Sequence, residues 1–158
     1  MKNPKISIIT VSYNSQSTIK QTIESVSAQT YKNKEYILID GASKDWTLDI
    51  LEFKKDEIDN FVSEQDGGIY DAMNKGIKAA NGDIIGILNS DDFYCNHDVL
   101  SKVAKVFEDT NCEAVYGDLV YVKKNDTSKI TRYWQAGEYS AGSIKNGWML
   151  PHPTFFVK

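Results

Sequence analysis

Residues 83–94 read DIIGILNSDDFY, an apolar run that stops at two adjacent carboxylates, Asp91 and Asp92, with Asn89 and Ser90 before them and two aromatics after. Paired carboxylates suit some chemistries and not others. The two acids of a glycosidase flank a sugar from opposite sides, roughly 5 Å or more apart, and usually come from different elements. Neighbours on one loop are poorly placed for that. One of the pair could cap the helix expected to begin near Asp98, but both stand well short of it. Coordination of a cation by one carboxylate, with the other orienting a ribose or sugar hydroxyl, is the more economical assignment. Other polar residues recur just after apolar runs: Ser12, Tyr13 and Asn14, then Asp40, then Glu64 and Asp66. So oxygen-rich a rim suits Mg2+ or Mn2+ carrying a diphosphate, with Asp40 accepting from a base N–H or a ribose hydroxyl. Two common phosphate-binding devices are missing. The first strand–helix turn reads SYNSQS, without the glycines of G-x-G-x-x-G, and no G-x-x-x-x-G-K-[ST] loop occurs.

The elements that must position these residues follow from periodicity. Residues 6–11 (ISIITV) form a continuous β-branched run, as in a strand covered on both faces. Ser15, Ser17 and Thr18 are N-cap candidates for a helix carrying Ile19, Ile23 and Val26. Residues 36–39 (YILI) make a second strand ending at Asp40, after which Asp45 can cap a helix bearing Leu48 and Leu51. A third strand falls at 60–63. The stretch 69–80 spaces Ile69, Met73, Ile77 and Ala80 on one helical face, with Asn81-Gly82 as its stop. DIIGIL is the fourth strand, and a helix from 98 to 108 points Leu100, Val103 and Phe107 inward. Strand–helix alternation with short connections predicts a parallel α/β sheet, whose ligands bind beyond the carboxyl ends of the strands. That edge is where Ser12, Asp40, Asp66 and the 89–92 run converge. Beyond Cys112 the rhythm changes to mixed or antiparallel strands at 114–122 and 130–134, joined by the polar KKNDTSK, and SAGSIKNGW reads as a loop with one helical turn.

With 158 residues and 41% hydrophobic content, the chain can bury one substantial core. A net charge of −4 without a basic cluster argues against nucleic acid as a partner. No apolar run nears the roughly 20 residues that span a bilayer, and the first residues lack a signal-peptide core, which predicts a cytoplasmic chain. Cys95 and Cys112 lack metal-ligand spacing and read as free thiols.

The sequence resembles the family 2 glycosyltransferases of the GT-A fold, in particular the bacterial branch that builds surface polysaccharides. The similarity runs over nearly the whole chain, through ISIITVSYNSQSTIKQTIESVSAQTY, IDGASKDWTLDIL, SEQDGGIYDAMNKGIKAANGDIIGILNSDD and HPTFFVK, in that order. It implies an α/β, GT-A-like nucleotide-diphospho-sugar transferase fold: a mostly parallel, Rossmann-like sheet flanked by helices, with a mixed or antiparallel C-terminal part. Residues 1–158 would form a single domain, 1–112 its nucleotide-binding part and 113–158 the start of an acceptor-side part.

The same resemblance implies that Thr10, Ser12, Tyr13 and Asn14 hold the base together with Asp40. The family's D-x-D-like motif falls on Asn89, Ser90, Asp91 and Asp92, with Asp92 the direct ligand of Mn2+ or Mg2+ and Asp91 near the metal and the ribose or donor sugar. Asp66, Asp71, Asn74 and Lys75 border the nucleotide. Lys75 suits a diphosphate and equally a solvated helix face, while Ser43, Asp45 and Thr47 shape the second helix. Asn89 and Gly41 depart from the family's acidic positions. The implied reaction is inverting transfer from a nucleotide-diphosphate sugar, UDP-linked by preference with GDP- and dTDP-sugars as alternatives, to a glycan or lipid-linked acceptor at the inner membrane face. In inverting members the general-base aspartate follows the HPTFFVK-like segment, so it is expected beyond Lys158 in a chain read as truncated; within the chain His152, between two prolines, is the candidate named, a residue type with a suitable intrinsic pKa. The competing readings are a nucleotidyltransferase, which would need a Gly- and Arg/Lys-rich loop in place of SYNSQS, and a nucleotide-sugar-binding or scaffold domain without catalysis.

Overall fold

The computed structural model describes residues 2–158. Strand β1 (Ile6–Ser12) is buried along its whole length, because it pairs in parallel with β2 (Lys34–Asp40) on one side and β4 (Ile84–Ile87) on the other. Strand β3 (Asn60–Ser63) extends the sheet beyond β2. Two-residue periodicity sorts their side chains. Ile6, Ile8, Tyr36 and Leu38 pack with α1 (Ile19–Ser27), α2 (Thr47–Phe53) and α4 (Val99–Thr110), while Ile9, Val11, Ile37 and Ile39 meet α3 (Ile69–Ala79) on the opposite face. The register sets Ser12 opposite Asp40, and Asp40 opposite Ser63, so three polar residues end side by side at the carboxyl edge.

Helix α3 faces the sheet differently from its sequence pattern. Ala72 and Gly76 are its buried residues, whereas Ile69 and Ile77, expected inward, are 53% and 41% exposed. The reason is the closeness of approach: a Cβ on Gly76 would lie 2.4 Å from Ile9 Cγ2. Only small residues fit there. Gly76→Val should therefore destabilise the chain by about 2 kcal/mol, the usual cost of overpacking, measured as a lower urea midpoint at unchanged slope. An unchanged midpoint would mean that the helix has room to spare.

The start of α1 also differs from expectation. None of Ser15, Ser17 and Thr18 caps it through a side chain; the Ser15 carbonyl accepts from the amides of Thr18 and Ile19. The Ser15 hydroxyl is used elsewhere, 2.8 Å from Ser90 Oγ. Asp45 does accept from the Thr47 amide at 3.0 Å, just ahead of α2.

The C-terminal part breaks into shorter pieces than the apolar pattern at 114–122 suggests. Strand β5 (Ala114–Val115) and β6 (Leu119–Lys123) are separated at Gly117, whose amide and carbonyl bond to Thr154 Oγ1 at 3.1 and 2.8 Å instead of continuing a ladder. Strand β6 pairs with β7 (Asp126–Trp134) in a separate antiparallel hairpin, closed by only two residues, Lys124 and Asn125. Strand β8 (Phe156–Val157) inserts antiparallel between β4 and β5, giving the order β3-β2-β1-β4-β8-β5. A Cβ at Gly86 would lie 2.4 Å from the Phe156 ring, so the glycine lets this strand dock. Docking of β8 brings the preceding turn, His152–Thr154, to the end of β4. Among the described residues, no helix is long and apolar enough to cross a membrane.

Candidate functional site

The carboxyl edge is built around Asp40, which is fully buried. Its Oδ1 accepts from the hydroxyls of Ser12 at 2.9 Å and Ser43 at 2.5 Å, and its Oδ2 accepts from the Ser43 amide and the Ser63 hydroxyl, both at 2.9 Å. Buried carboxylates persist when their lone pairs are filled in this way. Strand parity explains the geometry, since Asp40 lies on the same face as Tyr36 and Leu38, towards α1, α2 and α4. Asp40 thus points beneath the rim, not to a base or ribose as the sequence suggests. Thr10 is buried as well and accepts from the Tyr36 hydroxyl at 3.0 Å. Both residues support the rim and do not line it.

The loops after β1 and β2 are joined by further bonds. The Asn14 amide donates to Ser43 Oγ at 2.9 Å, the Lys44 amide to Asn14 Oδ1 at 2.9 Å, and the Ser15 amide to Thr47 Oγ1 at 2.8 Å. Asn14 and Ala42 adopt left-handed backbone, at φ of 51° and 58°. For alanine this costs about 1 kcal/mol and marks a loop whose shape is imposed by its surroundings.

Between these loops, the start of α3 and the loop after β4 lies an open cleft of about 710 Å³. Of the residues singled out in the sequence, Ser12, Tyr13, Asp66, Asn89, Ser90 and Asp91 line it. Gly41, Ala42, Lys44 and Gln65 also line it, although the sequence assigns none of them a ligand-binding role. Their signal was position, because they flank Asp40 and Asp66 at strand ends. Asn14 lies behind the wall, tied to Ser43 and Lys44. Asp71, Asn74 and Lys75 sit on α3 outside the lining. Lys75 is paired with Glu64 at 2.8 Å and Asp71 at 3.5 Å, and the hydrogen bond to Glu64 holds its pKa above the usual lysine range. Asp71 accepts from the Gly67 amide at 3.0 Å, which leads the causes that lower its pKa. Lys75 is therefore engaged by carboxylates of its own chain.

The 89–92 loop is anchored from α1. Buried Thr22 donates to the carbonyls of Ser90 and Asp92 at 3.0 and 2.8 Å. Asp91 borders both the first cleft and a second groove of about 830 Å³, which runs between α4 and the β6–β7 hairpin; Asp92 lines only that groove. Neither carboxylate caps α4, whose N-cap is Asp98. Asn89 Nδ2 lies 3.0 Å from Asp92 Oδ2 and 3.1 Å from His152 Nε2, so one amide group links the motif to the turn before β8. Burial raises the Asp92 carboxyl above the usual range, and the neighbouring Asp91 charge adds to the shift.

Among the described residues, no group of three or more His, Cys, Asp and Glu side chains stands arranged to hold a metal. The local chemistry nevertheless fits a hard divalent cation. Asn89 Oδ1 is buried without a partner, and Asp92 is a carboxylate whose charge burial disfavours until a cation offsets it.

A family model described as Glycosyl transferase family 2 matches residues 7–157. An uncharacterized glycosyltransferase of Mycobacterium tuberculosis is 39% identical over 103 residues, covering 65% of this chain and 39% of that protein. A UDP-Glc:alpha-D-GlcNAc-diphosphoundecaprenol beta-1,3-glucosyltransferase of Escherichia coli is 33% identical over 121 residues, covering 76% of this chain and 47% of that protein. The chain thus spans less than half the length of these two relatives. Among solved structures, TarS of S. aureus, residues 1–349 with UDP-GlcNAc, superposes with a TM-score of 0.65 at 25% identity, covering 78% of this chain and 35% of that one. The mannosyltransferase PcManGT of Pyrobaculum calidifontis, with GDP-Man and Mn2+, gives 0.65 at 22% identity, covering 79% and 37%.

Proposed function

Because the chain belongs to glycosyl transferase family 2 and has the GT-A fold, we propose that its cleft binds a nucleotide-diphosphate sugar, and that it forms the donor side of an enzyme transferring that sugar to an acceptor hydroxyl. The observation that carries this reading is the convergence of Tyr13, Asp66, Ser90 and Asp91 on one cleft at the carboxyl edge, held by the buried Asp40 network. Tyr13 offers an exposed ring to a base, and Asp91, at the border of the two cavities, accepts from a ribose or sugar hydroxyl. Asp92, with Asn89 and Asp91 beside it, would hold Mn2+ or Mg2+, which when bound neutralises charge growing on the departing diphosphate. In the transfer the acceptor oxygen bonds to the anomeric carbon, the bond from that carbon to the diphosphate breaks with inversion, and the acceptor proton passes to a base. His152 is bonded to Asn89 on the donor side and is not given that role. A UDP-linked donor and a glycan or lipid-linked acceptor, met at the inner face of the membrane, are favoured because the Escherichia coli relative is described with both UDP-Glc and an undecaprenol-linked acceptor.

Calorimetry on the chain with UDP and GDP, with and without Mn2+, tests the donor reading. Binding of at least one nucleotide should tighten roughly 10- to 100-fold with the metal, about 1.4 to 2.7 kcal/mol. No binding under any of these conditions would reduce the chain to a scaffold domain.

A further inference from the structure

We propose that the β6–β7 hairpin is a membrane-docking surface, which holds the chain against anionic phospholipid headgroups through Arg132, Lys123 and Lys124. Arg132 is the only arginine of the sequence. It stands directly opposite Tyr121 in the β6–β7 register and two residues before Trp134, so the three side chains share one face of the hairpin. Its guanidinium carbon lies 5.2 Å from the centre of the Tyr121 ring and 5.7 Å from that of Trp134. Stacking on aromatic rings fixes the plane of the guanidinium and leaves its N–H edge free to meet phosphate oxygens. Among the described residues no carboxylate pairs with Arg132, Lys123 or Lys124, whereas Lys129 is held by Asp126 at 3.0 Å. Asp118, at the foot of the hairpin, is engaged as well, accepting from the Tyr133 hydroxyl at 2.6 Å and the Ala136 amide at 2.9 Å.

Along the sequence these cations are scattered and make no cluster; the turn at Lys124 and Asn125 folds them onto one exposed hairpin. Residues 119–134 carry Lys123, Lys124, Lys129 and Arg132 against a single carboxylate, Asp126, in a chain whose net charge is −4. A cationic element therefore stands apart from the six-stranded sheet of an acidic chain. Tyr121 and Ile130 on the same hairpin are 42% and 62% exposed. Exposed apolar side chains of this kind suit the boundary between headgroups and acyl chains, and cations laid along a strand pair match a plane of negative charge better than one enclosed anion. Of the anionic surfaces a chain can meet, a membrane is the one that the lipid-linked acceptor proposed above would bring to it, and the choice of occupant rests on that reading.

Flotation with phosphatidylcholine vesicles, with and without phosphatidylglycerol, tests this on the wild-type chain, Arg132→Gln and the double variant Lys123→Gln/Lys124→Gln, each checked by thermal melting. At low salt the wild type should bind the mixed vesicles at least about tenfold more tightly than phosphatidylcholine alone, and added salt should remove the difference. Each cation near an anionic bilayer is worth about fivefold in affinity, so Arg132→Gln should weaken binding by about that factor and the double variant by about 25-fold, with melting temperatures unchanged. Binding of UDP and GDP in Mn2+ should be the same in all three chains, because the hairpin lies outside the donor cleft. Equal binding to both vesicles, or full binding by either well-folded variant, overturns the proposal. Competition by inorganic phosphate beyond that of chloride at equal ionic strength would make the face a site for free phosphate, and binding of polyphosphate or RNA without binding to vesicles would give it to a soluble polyanion; both also overturn docking to lipid. A chain that docks on mixed vesicles but binds no nucleotide keeps this surface and loses the donor reading, and one that binds nucleotide but no mixed vesicle does the reverse.

Discussion

Asp92→Ala should erase the gain that Mn2+ adds to nucleotide-diphosphate binding, leaving the chain with the same affinity in the presence and absence of metal. In a transfer assay of the enzyme, the same change should lower kcat by about a thousandfold or more, since a cation at the leaving group is worth several kcal/mol. Burial pushes the Asp92 carboxyl up, Asp91 adds like charge, and its protein hydrogen bond comes from Asn89 Nδ2 at 3.0 Å. A folded pKa above the unfolded value means that stability tied to this group is fully present below the unfolded pKa and is lost as pH rises through the folded one. Near neutral pH the ionised group therefore works against the metal-free fold. Asp92→Asn should accordingly raise the melting temperature of the metal-free chain there while removing its response to Mn2+. A persistent Mn2+ gain in Asp92→Ala would assign the cation to other residues.

Asp40→Ala should lower the stability of the chain by at least about 3 kcal/mol and weaken binding of every nucleotide together. Removing this carboxylate leaves three hydroxyls and the Ser43 amide without their acceptor at a dry position, and each buried unpaired group costs about 1–3 kcal/mol. Hydroxyls can turn to other partners, but the Ser43 amide cannot. Ser43 Oγ also receives the Asn14 amide, so loosening it reaches the loop that carries Tyr13. Urea denaturation reads the stability, and calorimetry at a temperature where the variant is still folded reads the affinity. An Asp40→Ala chain within about 1 kcal/mol of the wild type would show that the rim holds its shape by other means.

Much of the site was legible because an open parallel sheet exposes its strand ends. Ser12, Tyr13, Asp66, Asn89, Ser90 and Asp91 were all placed at that edge by counting apolar runs, and all line the cleft. Thr10 and Asp40 were misplaced by ignoring parity. Counted in twos from Ile8 and from Tyr36, both fall on the face that α1, α2 and α4 cover, so their polar atoms had to find partners inside the protein. Lys44 carried no signal of its own, and Gly41 stood out only as a departure from the family's acidic position, because a glycine and a lysine in a turn have common roles that need no ligand.

The sequence by itself determined the four parallel strands, the helices between them and the edge at which polar residues gather, because the periods of strand and helix act within each element. It also carried the family resemblance in the order of its motifs. Only the tertiary structure decided that α3 sits on Ala72 and Gly76, that the two residues of β8 slot between β4 and β5, and that His152 reaches Asn89. Each of these depends on how closely two distant segments approach, as Ile9 does Gly76 and Phe156 does Gly86. The paired carboxylates with which DIIGILNSDDFY ends could be picked out from residue type and spacing as the proposed cation and donor clamp; that an amide ties Asp92 to a turn some sixty residues later was set by packing across the sheet.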